Sequence, residues 1–434
     1  MISRTELEKI IPGVSRSYDV IVAGGGPAGI GAALGAAMQG ANTLLLEARS
    51  FFGGVAAIAM WMPMNRLLLN GGLRGGAHDL LVEKIQSYGE DAYREGRSDM
   101  INGDGMNVHP EYLRLACLEL LEEQHCHYRL YSPVTGITMS GNRLTGVQVT
   151  TKAGIQKFTA NVVVDATGDG DVAYFAGAEM VVGREEDGRS MPVSLVFALA
   201  NVDVNRLMQF LETDRDRYNQ ILEEAKAGGC AVAAWYSFDT TTIPGVVNVN
   251  NGALHDLGNI NGTKADELTI AERSGIQVAH DFVKFAREKQ IPGLENCHLM
   301  RVGAHVGVRD TRRLVGEYVL TLDDALHAPD FPDIVARKYG AIDANQLFIG
   351  PMHSGFGYPY RSLLPKRIDN LLVAGRCASA SFLGHAAGKS MGNMIELGQA
   401  AGVAAAMCAV ANIPPRSLDV SQLQQVLMDM GVHL

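Results

Sequence analysis

Residues Asp19–Arg49 read DVIVAGGGPAGIGAALGAAMQGANTLLLEAR, and no other stretch limits the fold as tightly. Asp19–Ala23 is a short apolar run of the kind that forms a buried parallel strand. Gly24-x-Gly26-x-x-Gly29 follows. In such a turn the first glycine permits the bend, the second lets main-chain N–H groups approach a pyrophosphate, and the third lets helix and strand pack closely. Pro27 and Ala28 open a helix whose positive N-terminal end points at the phosphates. Thr43–Leu46 reads as a second strand, and Glu47 stands where an acid can bond the hydroxyls of an adenosine ribose. A glycine motif alone is weak. Strand, turn, helix, strand and acid in that order within about thirty residues point to an adenine dinucleotide. By itself the motif fits NAD or FAD.

Three later pieces decide between them. Ala48-Arg49-Ser50-Phe51-Phe52-Gly53-Gly54 offers a second glycine turn after the acid. Val162–Asp171 reads VVVDATGDGD, a strand ending in the turn Ala166-Thr167-Gly168. Ile368–Arg376 reads IDNLLVAGR, a third strand ending in Gly375-Arg376, with a glycine- and alanine-rich helix from about Gly388 to Ala411 behind it. Together these resemble the FAD-binding fold of the glutathione-reductase-like flavoproteins. The stretches GVRDTRRLVGEY (307–318), YPYRSLLP (358–365) and GQAAGVAA (398–405) narrow the resemblance to a family of FAD-dependent oxidoreductases with a single dinucleotide motif. It extends over nearly the whole chain and leaves the substrate open.

That resemblance implies an α/β fold: a Rossmann-like FAD-binding domain with an inserted α+β substrate domain. It implies that Ala48, Arg49, Gly54, Ala166, Thr167, Gly168, Gly375 and Arg376 line the cofactor, and that main-chain groups at Val134 meet the adenine edge. At the flavin end, Gly388-Lys389-Ser390-Met391-Gly392-Asn393-Met394 begins the last long helix. The helix dipole and Lys389 would then support negative charge on the flavin ring, with Asn393 and Met394 also among the residues that bind the cofactor. The competing role for Lys389 is a solvent-facing or phosphate-pairing lysine. Relatives often carry a histidine soon after an Ile-Asp pair such as Ile342-Asp343, but here Ala344-Asn345-Gln346 follows.

Composition excludes other classes. Lys+Arg 37 against Asp+Glu 47 gives a net charge of −10, with no long block of one sign, which argues against nucleic acid as the partner. No basic, apolar and cleavable segment opens the chain. The most apolar stretch, Met394–Ala411, contains Glu396 and Gln399 and reads as a buried helix, not a membrane span. The cysteines Cys117, Cys126, Cys230, Cys297, Cys377 and Cys408 form no C-x-x-C pair or iron–sulfur spacing, and no metal site is expected. They read as buried thiols of a reducing, cytoplasmic compartment, with Cys377 notable for its place after Arg376.

The expected division is a leader at 1–17, cofactor-binding segments at 18–180 and 351–434, and a substrate domain at 181–350. The first segment includes an irregular excursion at 57–108. Helices are expected near Val204–Gly228 and Ala265–Glu288, around a strand-like Thr240–Val249. No second strand-GxGxxG-helix unit follows Glu47, so a separate NAD(P)H domain is not expected. Non-covalent FAD must exchange electrons with a substrate visiting its own face or with a partner protein.

The predicted activity is hydride transfer between FAD and a small polar molecule, carboxylated or hydroxylated, by a dehydrogenase or oxidase. The electron acceptor is open, and a homo-oligomer is allowed. Candidate acid–base groups are His305, expected on a strand with Val302 and Val306, and His353 and His385 in loops. Arg309 is the candidate for a substrate carboxylate. Arg312 and Arg313 read instead as partners of acids between the domains, and Tyr360 as either a flavin contact or a core tyrosine. A monooxygenase is the alternative, but aromatic hydroxylases carry Gly-Asp where this chain has Gly375-Arg376. An electron-transfer subunit is a third reading.

Overall fold

The glycine-rich segment folds into the unit its pattern predicts. The computed structural model describes residues 4–11, 17–58, 63–65, 74–95, 105–251, 257–339, 342–344, 347–349 and 355–434. In it β1 (Ser17–Ala23) leads through α1 (Pro27–Met38) to β2 (Thr43–Leu46). Helices α2 (Gly76–Ser87) and α3 (Pro110–Glu123) follow. Then come β3 (His127–Arg129), β4 (Val134–Ser140), β5 (Arg143–Thr151) and β6 (Gly154–Asp165).

The main sheet runs β3-β2-β1-β6-β5-β4. β1 is parallel to both neighbours: Ile21 faces Leu44 on one side and Val163 on the other. Val20, Ile21 and Val22 are fully buried, which is why this strand is an unbroken apolar run. β6 begins at Gly154, earlier than the expected return to the sheet at Val162, because it serves two sets of neighbours. Its first half pairs antiparallel with β5, and Val163–Asp165 pair in parallel with Leu371–Val373. That late strand carries Gly375 back to the first glycine turn.

A second sheet forms from β7 (Phe197–Ala200), β8 (Tyr236–Thr240), β9 (Val247–Asn251) and, after α4 (Ala265–Glu288), β10 (His298–Val302). It is antiparallel in the order β8-β9-β7-β10. Phe197, Leu199, Phe238, Val247 and Val249 pack with Phe282 and Phe285 of α4 into a separate core. Alternation does this: one face of each strand is apolar, and α4 covers it. Val335, Ala336, Ile342 and Phe356 pack into the first core instead.

The last long helix, α5 (Met391–Ala411), lies against α1 with backbone touching backbone. Gly398 and Gly402 share one face of α5, as Gly31 and Gly35 share one face of α1. A Cβ at Gly398 would lie 1.9 Å from the Ala28 carbonyl oxygen, and one at Gly402 2.0 Å from that of Ala32. Small residues at this seam bring the helix under the cofactor turn. By length and composition α5 is the one helix among the described residues that could cross a bilayer, and it is buried within the protein along nearly all its length.

Candidate active site

The three turns expected to hold the cofactor converge at the end of β1. Gly24 has φ +97, and a Cβ there would sit 2.5 Å from the Ala166 carbonyl oxygen. A Cβ at Gly29 would fall 1.7 Å from the Gly24 oxygen, and one at Gly375 2.9 Å from the Ala28 Cβ. These glycines are therefore demanded by packing. Gly26 is different: a Cβ there would meet nothing nearer than the Gly54 Cα at 3.9 Å. The space beside it is open, and Gly26 caps α1 with no side chain over the first N–H groups. Pro27 lacks an N–H to satisfy at this position. An open concavity beside bare helix N–H groups is what a pyrophosphate requires.

Glu47 is buried at the end of β2, where its oxygens accept from Gly25 N at 2.7 Å and Arg49 N at 2.7 Å. Each oxygen keeps acceptor capacity for ribose hydroxyls. Ser132 N donates to the Glu47 carbonyl at 2.8 Å, which brings the start of β4 and Val134 beside the acid. Ala48 and Arg49 are exposed at the rim.

Under the Ala166-Thr167-Gly168 turn lies a network of acids and arginines. Buried Asp165 accepts from Thr167 Oγ1 at 2.7 Å and from Ala173 N at 2.9 Å, which fixes the turn. Asp169 accepts from Thr311 Oγ1 at 2.7 Å and pairs with Arg376 at 2.5 Å. Burial opposes ionisation of Asp169, but Arg376, Thr311 and Arg312 outweigh it and hold the carboxyl below its usual range. Asp171 goes the other way. Burial and the charges of Asp169 and Asp165 push it up to about 6, although it pairs with Arg312. The guanidinium of Arg312 also covers the Tyr174 ring at 4.4 Å. Arg376 is thus engaged by a carboxylate at the turn.

Arg313 is fully buried between Asp310 at 3.4 Å and Glu185 at 3.6 Å. Arg309 donates to the Pro192 carbonyl at 2.9 Å, and its own carbonyl faces His385 Nε2 at 3.0 Å. Since a carbonyl only accepts, His385 carries its proton on Nε2. Burial first, then Lys389, holds the His385 pKa well below 6.5, so it is a neutral tether. His353 lies outside the described residues.

At the N-terminus of α5, Asn393 spends its whole amide on the protein. Its Oδ1 accepts from Arg74 at 3.0 Å and Tyr339 N at 3.2 Å, and its Nδ2 donates to the carbonyls of Tyr339 at 2.8 Å and Gly388 at 3.3 Å. It positions the helix start. Met394 is buried beside it. Ser390, the residue before the helix, makes no cap bond, and its buried Oγ has no partner. The first N–H groups of α5 and this hydroxyl fit the charged edge of a flavin, with Lys389 adjacent.

His305 is not on a strand. β10 ends at Val302, Gly303 N bonds the Val196 carbonyl at 2.8 Å, and the chain bends. The bend turns His305 Nδ1 to the Val306 carbonyl at 2.7 Å, so Nδ1 is the donor and Nε2 keeps its lone pair. Nε2 is buried without a partner. Burial and then the charge of Arg49 lower its pKa below 6.5, with Arg376 and Asp169 also near enough to act on it. Cys377 is buried with its thiol pushed far up, so it is no nucleophile, and Tyr360 is a core residue bonding the Pro415 carbonyl at 3.0 Å.

Three features escaped the sequence reading. Arg74 and Glu396 form a buried ion pair between the excursion and α5. Lys338 is buried over the Tyr358 ring. Asn248 and Asn250 alternate with valines on β9, a legible period of two.

Residues 19–427 match the profile of a protein family described as FAD dependent oxidoreductase. Among solved structures the fold is similar to a geranylgeranyl bacteriochlorophyll reductase-like protein from Thermoplasma acidophilum (TM-score 0.53, 17% identity, 96% of this chain, 84% of that one). It is also similar to the myxobacterial chondrochloren halogenase (TM-score 0.50, 13% identity, 95% and 78%). At these identities they show a shared FAD-binding Rossmann-type fold. A 4-oxocyclohex-2-ene-1-carboxylate 5-dehydrogenase from Sinomonas cyclohexanicum is 36% identical over 91 residues, 20% of this chain and 14% of the relative's length.

Proposed function

The chain belongs to the family of FAD dependent oxidoreductases, and we propose that it is a dehydrogenase or oxidase of a small hydroxyl-bearing molecule, with His305 as the proton acceptor. The observation that carries this reading is the buried, unpartnered Nε2 of a histidine whose other nitrogen is fixed as a donor. Bound FAD supplies the two-electron hydride acceptor. The open space at Gly26, the carboxylate of Glu47 and the start of α5 would hold its pyrophosphate, ribose and ring in turn. His305 Nε2 then takes the hydroxyl proton of the substrate as its carbon is oxidised to a carbonyl. Its lowered pKa keeps the imidazole unprotonated at neutral pH, as a base must be. The positions of Arg376 and Arg49 favour the neutral ring over the imidazolium for the same reason.

The test is anaerobic reduction of the protein's flavin by pools of alcohols, hydroxy acids, amines and sugars, followed by bleaching of the visible band. One pool should bleach it. His305→Gln should retain flavin and bleach about 10²- to 10⁴-fold more slowly with that pool. Unchanged bleaching by the variant would remove His305 from the mechanism. A protein that cannot be loaded with FAD would end the reading.

A further inference from the structure

One face of the second sheet is apolar and covered by α4, and on the other Ser237, Asp239 and Asn248 are polar and still buried. On β9 the valines 247 and 249 turn to the aromatic core, so Asn248 and Asn250 turn to the opposite face. Across the ladder Asp239 stands opposite Asn248 and Ser237 opposite Asn250. On the other flank the partner of Asn248 is Ala198, a side chain with no polar group to pair with the amide. Asn248 is 0% exposed, yet neither its Oδ1 nor its Nδ2 has a hydrogen-bond partner, and the Oδ1 of Asn250 has none either. A buried carboxamide left unpaired is costly, and a strand in a dry interface has no use for one.

This face looks toward the cofactor half. Along one edge Asn107 Nδ2 donates to the Thr240 carbonyl at 2.8 Å, tying β8 to the excursion after β2. Along the other, Arg301 of β10 lies 3.9 Å from Glu111 of α3, and His305 follows three residues after β10 ends. With α4 on the far side, the amides face the half that holds the glycine turns, and that of Asn248 is closed off from solvent.

We propose that Asn248 and Asn250, with Ser237 and Asp239, bind hydroxyl groups of the substrate, which is a neutral polyol of the sugar or cyclitol class. This rests on the oxidoreductase reading and narrows it. A carboxamide offers a donor and an acceptor about as far apart as two groups on adjacent carbons, which suits vicinal hydroxyls. Asp239 accepts from hydroxyls when ionised and repels a carboxylate. Arg309, the cation that would have favoured a carboxylate, already donates to the Pro192 carbonyl.

The experiment is calorimetric titration of the FAD-loaded protein with sorbitol, xylitol, myo-inositol and, as the apolar acid, cyclohexanecarboxylate. The melting temperature of each variant and its flavin content are measured in parallel. At least one polyol should bind, and Asn248→Leu should weaken it by about tenfold or more. The melting temperature of that variant should equal or exceed the wild type, because a side chain of similar shape no longer buries an unpaired amide. Asn250→Leu should weaken the same polyol with flavin content unchanged. A fall of several degrees in Asn248→Leu would show that the amide is partnered inside the protein and would overturn the proposal. So would binding of cyclohexanecarboxylate alone, or polyol binding that ignores both variants. Absence of polyol binding to the FAD-loaded wild type refutes only this site, whereas failure of the wild type to load FAD refutes the oxidoreductase reading itself.

Discussion

Lys338 places a measurable pH dependence in the fold. It ends the strand Ile334–Lys338, is 4% exposed, and holds its Nζ 4.3 Å from the centre of the Tyr358 ring. Gly388 lies against its stem, where a Cβ would come within 2.2 Å of the Lys338 Cδ. Burial alone brings its pKa down from 10.5 to about 7. Below pH 7 the folded and unfolded chains both carry the proton, and the folded state bears the full cost of burying an ammonium. Between about 7 and 10.5 the unfolded chain keeps a proton that the folded chain has released, so raising the pH favours folding. The whole interval is worth about 5 kcal/mol, and the part between pH 6 and pH 9 about 3 kcal/mol, at about 1.4 kcal/mol per pH unit above 7. Lys338→Met keeps the length without the charge and gives up a cation–π contact of about 0.5–2 kcal/mol. Urea melts of both proteins from pH 6 to 9, with FAD in excess, measure the difference. The variant should be more stable than the wild type at pH 6, and its advantage should shrink by about 3 kcal/mol by pH 9. A difference independent of pH would refute the buried neutral amine.

The Cβ that Gly26→Val adds meets no atom of the protein nearer than the Gly54 Cα at 3.9 Å, so the apoprotein should melt as the wild type does while FAD affinity falls by about 100-fold in a fluorescence titration. Gly29→Ala is the contrast, because its Cβ would overlap the Gly24 oxygen and lower the melting temperature directly. Gly402→Ala forces α5 off α1 and should cost about 1–3 kcal/mol or more in a urea melt. Arg74→Met leaves Glu396 charged and buried, a loss of about 3–5 kcal/mol, and adding Glu396→Met should recover most of it.

The cofactor half was legible because its evidence is contiguous. Gly24, Gly26, Gly29 and Glu47 sit within one strand-helix-strand unit, and each residue type is dictated by a local bend, a close approach or a bare helix end. Leu371–Val373 was legible for the same reason, an apolar run stopped by Gly375. Asn393 shows where the reading weakens. A turn ahead of a helix marked it as a cofactor contact, yet its amide is consumed by Arg74, Tyr339 and Gly388, and no pattern in the sequence announces partners that lie up to 319 residues away. His305 was singled out by type, but the alternation with Val302 and Val306 suggested a strand. The bend after Val302 comes from a bond to Val196, in a different strand region, and it is this bend that aims the ring.

The same division separates cofactor from substrate. Main-chain N–H groups can approach a pyrophosphate only where side chains are missing, so the signature of a dinucleotide site is a run of glycines in order. The substrate site proposed above draws on Asn248 and His305, which come from separate segments: Asn248 from the sheet tied through β8 to the excursion, His305 from the bend after β10. Such a site can change its substrate by altering one face of one sheet while the glycine turns stay fixed. On this argument Asn248→Leu and Gly26→Val are independent perturbations, and their double variant should show the two single losses added with no coupling between them. A coupling of more than about 0.5 kcal/mol between FAD affinity and the Asn248 substitution would mean that the asparagine face touches the cofactor itself.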